Sequence, residues 1–260
     1  MSKRFDGRVV LVTGASSGIG RMAALEFAKQ GATVVGVARR YEELLRVGDE
    51  ASTFNGMFQA IRCDVSDKEQ VFSTVERVVN NFNKVDVLVN NAGFGLYGEF
   101  KDIGLEEIEK QVQVNLMGVI YFTKAVLPHM LKQGFGRIVN VASLAGFITV
   151  PKMNVYCGVK SALISISRSL DMELRKHNIR VAAVCPGSVD TPFFNHPSFS
   201  ARGGRPLGAM TTPEKVAKTI TDAARGGGVK VVPSYYWGAV YLLNLMPFLY
   251  RLVEKLSSQY

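Results

Sequence analysis

The stretch that decides the fold runs from Val9 to Gln30 and reads VVLVTGASSGIGRMAALEFAKQ. Its first five residues are mostly aliphatic and suit a strand that is buried on both faces. Glycines follow at 14, 18 and 20, and residues 21–30 then carry a helical pattern that should end at Gly31. A strand, a glycine-rich turn and a helix in this order predict the first unit of a parallel α/β sheet.

The same alternation of short aliphatic runs and longer helical patterns continues almost to the end of the chain. The runs predicted as strands are 9–13, 33–38, 57–62, 85–89, 137–141, 180–184 and 229–232. A capping box of Ser66 and Glu69 and the pair Thr212-Pro213 mark two helix starts. We expect one α/β domain over residues 1–260, a doubly wound Rossmann-type fold with a mostly parallel sheet and helices on both faces. The irregular stretch 186–210 is predicted to be a substrate loop.

The composition excludes several classes of protein. Hydrophobic residues make up 47% and charged residues 20%, which argues against a disordered chain, a collagen-like chain or a disulfide scaffold. The net charge of +9 comes from scattered residues, which favours a solvated basic surface over nucleic-acid binding. Cys63, Cys157 and Cys185 stand far apart, so we expect a reducing compartment and no zinc site. With no apolar leader in the first residues, the expected location is the cytoplasm.

The glycine-rich turn is the first candidate binding element. Glycines let a ligand approach the backbone, and a helix N-terminus offers N–H groups and a positive dipole end to a pyrophosphate. The residues predicted to form this nucleotide cradle are Gly14, Ser16, Ser17, Gly18, Ile19 and Gly20. The glycine spacing differs from Gly-x-Gly-x-x-Gly, and a simple tight turn is the alternative interpretation.

Two arginines follow the second predicted strand, where a site that prefers NAD would place an acid on the ribose hydroxyls. Arg39 and Arg40 occupy this position. Because a guanidinium can grip a phosphate with two hydrogen bonds, NADP fits better than NAD. The alternative is that both arginines are simply solvated. The ends of the next two strands supply further candidates at the same edge of the sheet, which are Asp64, Val65, Asn91, Ala92 and Gly93.

The candidate catalytic residues are Ser143, Tyr156 and Lys160. Tyr156 and Lys160 are four residues apart on a predicted helix and therefore share one face, and Ser143 ends a strand thirteen residues earlier. A neighbouring ammonium favours the phenolate, so we expect Lys160 to lower the pKa of Tyr156 towards neutrality. Such a pair taken alone is more often an ordinary surface feature, and the argument depends on the surrounding motifs.

Together these motifs resemble the classical short-chain dehydrogenase/reductase family, over roughly residues 8–194. The resemblance implies that Tyr156 is the general acid in reduction and that Ser143 bonds the substrate oxygen. It implies that Lys160 holds the nicotinamide ribose and that Asn115 supports a water-linked proton relay. The residues that it places along the dinucleotide, besides those above, are Pro186, Gly187, Val189 and Thr191 beside the nicotinamide and Asn91 on the adenosine side.

One position departs from the family pattern. Relatives that prefer NADP often carry Lys or Arg just before the second glycine of the cradle, and Ser17 stands there instead. The NADP preference therefore depends mainly on Arg39, with help from Ser16 and Arg40. The predicted activity is hydride transfer between NADP(H) and a ketone or secondary alcohol, with a catalytically silent sensor or scaffold as the alternative.

The remaining predictions concern partners and the less distinctive residues. We expect a homodimer or homotetramer through helices over 105–132 and 154–176, as in relatives. The three histidines share no metal-ligand spacing and are predicted to be surface residues: His129, His177 and His196. Five apolar residues beside the catalytic motifs could equally line a substrate pocket or close the core: Phe147, Ile148, Met153, Phe193 and Phe194.

The last segment, 235–257, is largely apolar, and no charged residue occurs from Val231 to Tyr250. Its aromatic residues and Arg251 resemble an interfacial membrane anchor, although a helix over the sixteen residues 235–250 would reach only about 24 Å, too short to span a bilayer. Two interpretations stay open. The segment packs on the substrate pocket or a subunit interface, or it covers a lipid-like substrate and touches a membrane.

Overall fold

A seven-stranded parallel sheet forms the centre of the protein, in the spatial order β3-β2-β1-β4-β5-β6-β7. The computed structural model describes residues 4–54, 56–202 and 210–245. The strands are β1 Val9–Thr13, β2 Thr33–Ala38, β3 Met57–Arg62, β4 Val87–Asn90, β5 Gly136–Val141, β6 Ile179–Pro186 and β7 Gly228–Val232. Because the strand order reverses between β1 and β4, the switch point of the sheet lies between their carboxyl ends, where such folds bind ligands.

Helices cover both faces of the sheet, which confirms the predicted fold class. They are α1 Gly18–Lys29, α2 Tyr41–Ala51, α3 Lys68–Phe82, α4 Leu105–Val112, α5 Gly118–Gln133, α6 Asn154–Leu174, α7 Pro213–Gly226 and α8 Tyr236–Leu245. One face packs on α1, α2 and α7 through side chains such as Phe27, Leu44 and Ile220. The other face packs on α3, α5 and α6 through side chains such as Val75, Phe122 and Leu163.

The predicted strands match the observed ones closely, and the largest differences are of two residues. β4 begins at Val87, two residues later than predicted. Asp86 lies just before it, and its carboxylate accepts hydrogen bonds from the Arg8 guanidinium at 2.7 Å and the Val9 N–H at 2.8 Å. β6 in turn extends two residues further, to Pro186.

Short-range sequence signals predicted some helix ends correctly and others wrongly. Gly31 follows α1 with a φ of +89°, as predicted, but α1 begins at Gly18 rather than at residue 21. The capping box of Ser66 is wrong, because Asp67 caps α3 instead and accepts from the Gln70 N–H at 3.0 Å. Thr212 caps α7, as predicted.

The helix predicted over 105–132 contains a π-helical turn. Residues Gln113–Met117 form this turn between α4 and α5. Among the described residues, this continuous helix, Leu105–Gln133, is long and apolar enough to cross a membrane by length and composition alone. Its inner side chains Phe122, Val126 and Met130 are fully buried against the sheet, which is the position of a core helix.

Asp171, near the carboxyl end of α6, fastens that helix to β6. Its carboxylate accepts two hydrogen bonds from Arg180, at 2.8 and 3.0 Å, and one from the Val181 N–H at 2.9 Å. Arg175 donates a further bond at 3.0 Å. Burial alone would raise the pKa of this carboxyl, but the hydrogen bonds outweigh burial and hold the pKa below its ordinary value.

We expect Asp171→Asn to lower the free energy of unfolding by about 1.5 kcal/mol near pH 7, because Arg180 loses its charged partner. A carboxyl whose pKa is depressed by folding contributes stability above its unfolded pKa of about 3.9. That contribution disappears as the pH falls through the folded-state pKa. Urea unfolding near neutral pH and near pH 3 measures both effects, with the exposed Glu173→Gln as control. A difference that does not shrink at all at the lower pH would contradict this ionic explanation.

Candidate active site

A cleft of about 860 Å³ opens at the carboxyl ends of β1 and β4, at the switch point of the sheet. It brings together residues that the sequence predicted from separate motifs. The predicted residues that line it are Gly14, Ser16, Ser17, Gly18, Ile19, Arg39, Arg40, Asp64, Val65, Asn91, Ala92, Gly93, Ser143, Tyr156, Lys160, Pro186, Gly187, Val189 and Thr191. Gly20 and Asn115 do not line the cleft, and each packs against residues that do.

The glycine-rich turn has the geometry that a bound pyrophosphate requires. Gly14 and Gly18 have φ values of +66° and +53°, in the region that favours glycine. A Cβ at Gly20 would lie 2.3 Å from the Gly14 carbonyl oxygen, so only glycine allows this close turn. Ser17, the N-cap of α1, makes no side-chain bond to the first turn, and no acidic residue occupies that turn. This cradle therefore fits the pyrophosphate of a dinucleotide cofactor.

Asn91 and Thr13 join the ends of β4 and β1 beneath the cleft. The Thr13 hydroxyl oxygen accepts from the N–H groups of Asn91 at 2.9 Å and Ala92 at 3.1 Å. The Asn91 amide donates back to the Thr13 carbonyl at 3.0 Å. Asn91 thus holds the switch point together besides lining the cleft, and its partner Thr13 was not among the predicted site residues.

The two arginines after β2 occupy different places. Arg40 donates to the hydroxyl oxygens of Ser16 at 3.1 Å and Ser17 at 2.6 Å, so it bridges to the cradle. Arg39 lies 3.8 Å from the Asp64 carboxylate and keeps 61% of its side chain exposed. Arg40 is therefore the cation tied to the cradle serines, and Arg39 is largely exposed.

Ser143, Tyr156 and Lys160 meet inside the cleft, where all three are buried. The Ser143 side chain hydrogen-bonds the Tyr156 hydroxyl. Ser143 is itself held by the Ala145 N–H, which donates to its hydroxyl oxygen at 3.1 Å. Because α6 places Tyr156 and Lys160 on one face, the Lys160 ammonium lies 5.6 Å from the centre of the Tyr156 ring.

The expectation that Lys160 lowers the pKa of Tyr156 is wrong for this structure. Burial raises the pKa of Tyr156 to about 12, and the hydrogen bond with Ser143 opposes that rise only in part. The Lys160 ammonium donates to the Val141 carbonyl at 2.8 Å rather than to the phenol. Burial also lowers the pKa of Lys160, to about 8. Tyr156 is therefore a protonated phenol at neutral pH, which is the form that a general acid needs.

Asn115 lies in the π-helical turn and is completely buried. Its amide oxygen accepts from the Phe94 N–H at 3.0 Å, and its amide nitrogen donates to the Phe94 carbonyl at 2.7 Å. The side chain thus fixes the backbone of a cleft residue from behind. The proton relay that the resemblance implies for Asn115 stays a prediction.

The substrate end of the cleft is largely apolar. Of the five apolar candidates, Ile148, Met153, Phe193 and Phe194 line the cleft. Phe147 lies outside the lining and packs against Trp237, with ring centres 5.8 Å apart.

Several residues line the cleft besides the predicted site residues, and His196 and Tyr236 are two of them. His196, predicted to be a surface residue, is partly exposed and lines the cleft. Its position directly after Phe193-Phe194 in the predicted substrate loop was the available signal. Tyr236 of α8 also lines the cleft, and a Cβ on Gly187 would lie 3.1 Å from its ring. This contact agrees with the interpretation that the apolar C-terminal segment packs on the pocket. Residues 246–257 of that segment lie outside the described residues.

Comparison with known protein families matches most of the chain to one family. The profile of the short chain dehydrogenase family matches residues 8–199. A 3-oxoacyl-(acyl-carrier-protein) reductase of Thermotoga maritima is 38% identical over 221 residues, which cover 84% of this chain and 90% of that protein. A ketoacyl reductase of a Nostoc species is 34% identical over 227 residues, which cover 87% of this chain and 78% of that protein.

Solved structures of similar architecture include enzymes with either nicotinamide cofactor. An NAD+-bound xylitol dehydrogenase superposes with a TM-score of 0.81 at 27% identity, covering 88% of this chain and 98% of its own. L-Sorbose reductase from Gluconobacter frateurii, complexed with NADPH and L-sorbose, gives a TM-score of 0.80 at 27% identity. The match covers 89% of this chain and 97% of the reductase. The family thus accounts for the cleft but leaves the choice between NAD and NADP to local residues.

Proposed function

This chain belongs to the short-chain dehydrogenase/reductase family of oxidoreductases, and from that premise we propose that it transfers a hydride between NADP(H) and an apolar ketone or secondary alcohol. The observation that carries the proposal is the meeting of Ser143, Tyr156 and Lys160 in the same cleft as the glycine cradle. When bound, the dinucleotide supplies the hydride, and the protein supplies its position and the proton.

In the proposed mechanism each of the three residues has a separate task. The Tyr156 hydroxyl, protonated because burial raises its pKa to about 12, donates a proton to the substrate oxygen during reduction. Ser143 bonds the same oxygen, since its hydroxyl already lies within hydrogen-bonding reach of Tyr156. Lys160 contributes a positive charge beside the phenol and holds the nicotinamide ribose, as the family resemblance implies.

The preference for NADP follows from the charges around the adenosine end of the cleft. Arg39 and Arg40 supply two cations there, and the Ser16 and Ser17 hydroxyls lie beside Arg40. A 2′-phosphate can accept bonds from all of these donors, whereas a bare ribose cannot use their charge. The Asp64 carboxylate 3.8 Å from Arg39 holds that guanidinium near the cleft.

An apolar substrate fits the side chains at the reacting end. Met153, Phe193 and Phe194 line the cleft together with Ile148 and Val150, so a hydrocarbon chain would displace water from an apolar surface. The relatives named for reducing 3-oxoacyl and ketoacyl groups are consistent with a carbonyl on such a chain.

The experiment that tests this function is a panel of ketones and alcohols with NADPH and NADH. Turnover that depends on Tyr156 and is faster with NADPH supports the proposal. Tight NADPH binding without turnover of any substrate would instead support a silent sensor or scaffold.

Assembly into a homodimer or homotetramer is proposed through the helices that begin at Leu105 and Asn154. Leu105 of α4 and Met172 of α6 are 69% and 70% exposed in the single chain, and a second copy would cover such apolar side chains. Light scattering of the purified protein measures the number of copies.

We also propose a cytoplasmic enzyme that rests on a membrane surface through α8. Tyr235 is 67% exposed and Trp237 is 37% exposed, and both stand in the uncharged stretch from Val231 to Tyr250. Aromatic side chains with an apolar neighbourhood suit the membrane interface.

We expect the double variant Tyr235→Ser/Trp237→Ser to bind anionic liposomes at least about tenfold more weakly than the wild type, because two aromatic side chains no longer enter the interface. Flotation with liposomes measures the binding. Met57→Ser removes a side chain that is 66% exposed on β3 and serves as the control. If the wild type does not float, or if both variants float equally, the membrane contact is wrong.

A further inference from the structure

His196 brings a polar ring to the apolar end of the cleft. It follows the short helix Pro192–Asn195 and lines the cleft beside Phe193 and Phe194. Its ring stacks on Phe94, with centres 5.8 Å apart and planes 23° apart. Because Asn115 holds the Phe94 backbone at both its N–H and its carbonyl, the surface beneath the His196 ring is fixed.

A chain of hydrogen bonds sets which nitrogen of the ring carries the proton. The Tyr97 N–H donates to the Ser198 hydroxyl oxygen at 3.1 Å, and that hydroxyl lies 2.9 Å from His196 Nδ1. The Ser198 N–H also points to Nδ1, at 3.3 Å. Since a backbone N–H can only donate, Nδ1 is the acceptor, and a neutral ring then carries its proton on Nε2.

In the described part of the protein, the hydrogen bonds to this ring go to Nδ1. The Nε2–H group is therefore a donor that has no acceptor among these residues. The apolar side chains that line the same cleft, Val150, Met153 and Phe193 among them, offer no acceptor. A purely hydrocarbon substrate that displaced water here would leave this N–H unpaired, which costs binding free energy. A substrate with an oxygen at this position would accept a hydrogen bond from the N–H group and avoid that cost.

We propose that His196 determines specificity by donating a hydrogen bond from Nε2 to a second oxygen of the substrate, separate from the carbonyl that Tyr156 protonates. The substrate class is then a ketone on an apolar chain that carries a further carbonyl or ester oxygen. This inference rests on the proposed function of the cleft, and it assigns to His196 recognition and not proton transfer.

The test compares two substrates of the same length, ethyl 3-oxohexanoate and 4-nonanone, which differ by the ester group. His196→Phe keeps a ring for stacking on Phe94 but removes the donor. We expect it to lower kcat/KM for the oxo ester by about 3- to 10-fold and to leave 4-nonanone within about twofold. His196→Gln, whose amide can donate from a similar position, should restore most of the loss. His177→Gln, on the exposed turn after α6, is the control.

Binding of ethyl 3-oxohexanoate to the Tyr156→Phe enzyme with NADPH, measured by calorimetry, separates recognition from reduction. Binding that weakens with His196→Phe, without any wild-type turnover, would overturn the proposed reduction and support the role of His196. Turnover with equal losses for both substrates, or with no loss, would overturn the role of His196 alone. Neither binding nor turnover of the oxo ester would overturn both.

Discussion

Turnover of the Tyr156→Phe variant is expected to fall by about 10²–10⁴-fold, the range for loss of a general acid. The substitution removes the hydroxyl that bonds Ser143 and keeps the ring, which packs 5.6 Å from Phe193. Because the glycine cradle lies on other elements, NADPH should bind with little change. Steady-state kinetics and fluorescence titration of NADPH measure the two quantities.

Tyr41→Phe is the matched control, since Tyr41 is 39% exposed at the start of α2. That variant should keep wild-type turnover. If Tyr156→Phe retained more than about a tenth of wild-type turnover while the chemical step limited the rate, the assignment of the proton to Tyr156 would be wrong.

Removing either arginine after β2 is expected to raise the Kd for NADPH by about 10- to 150-fold, which is the worth of one hydrogen bond to a charged group. Arg39→Ala removes an exposed guanidinium that lines the cleft beside Asp64. Arg40→Ala removes the cation that donates to Ser16 and Ser17. The Kd for NADH should stay nearly constant, because NADH has no 2′-phosphate.

Arg46→Ala provides the control for charge alone, because Arg46 lies on α2, directly after the two arginines, and pairs with Glu43 at 3.0 Å. It should change neither dissociation constant. Equal losses for NADPH and NADH in the Arg39 and Arg40 variants would contradict the contact with the 2′-phosphate, and so would a wild type that prefers NADH.

Local features of the sequence were sufficient for the architecture and for the catalytic helix. Buried parallel strands are continuous aliphatic runs, so β1, β2 and β3 could be placed to the residue. Tyr156 and Lys160 share a face because the helical period places residues i and i+4 together. The glycine cradle could be recognised because the positive φ values of residues 14 and 18 favour glycine.

Where two neighbouring residues could fill the same role, the sequence alone did not show which of them does. Ser66 and Asp67 are both acceptable caps for α3, and Asp67 is the residue whose carboxylate reaches the Gln70 N–H. Arg39 and Arg40 are chemically alike, and their difference comes from the cradle serines 23 and 24 residues away in the chain. Patterns of residue type do not contain these distances.

The sequence by itself determined the doubly wound sheet, the dinucleotide cradle and the group of residues that meet in the cleft, since each follows from local periodicity or a short motif. Only the tertiary structure decided the protonation of Tyr156, because burial, which no spacing records, raises the phenol pKa to about 12 and the bond with Ser143 opposes that rise only in part. It alone also placed His196 in the cleft, where the bond from Tyr97 to Ser198 joins residues 101 positions apart and orients the ring. Such effects depend on groups that the fold brings together from distant parts of the chain.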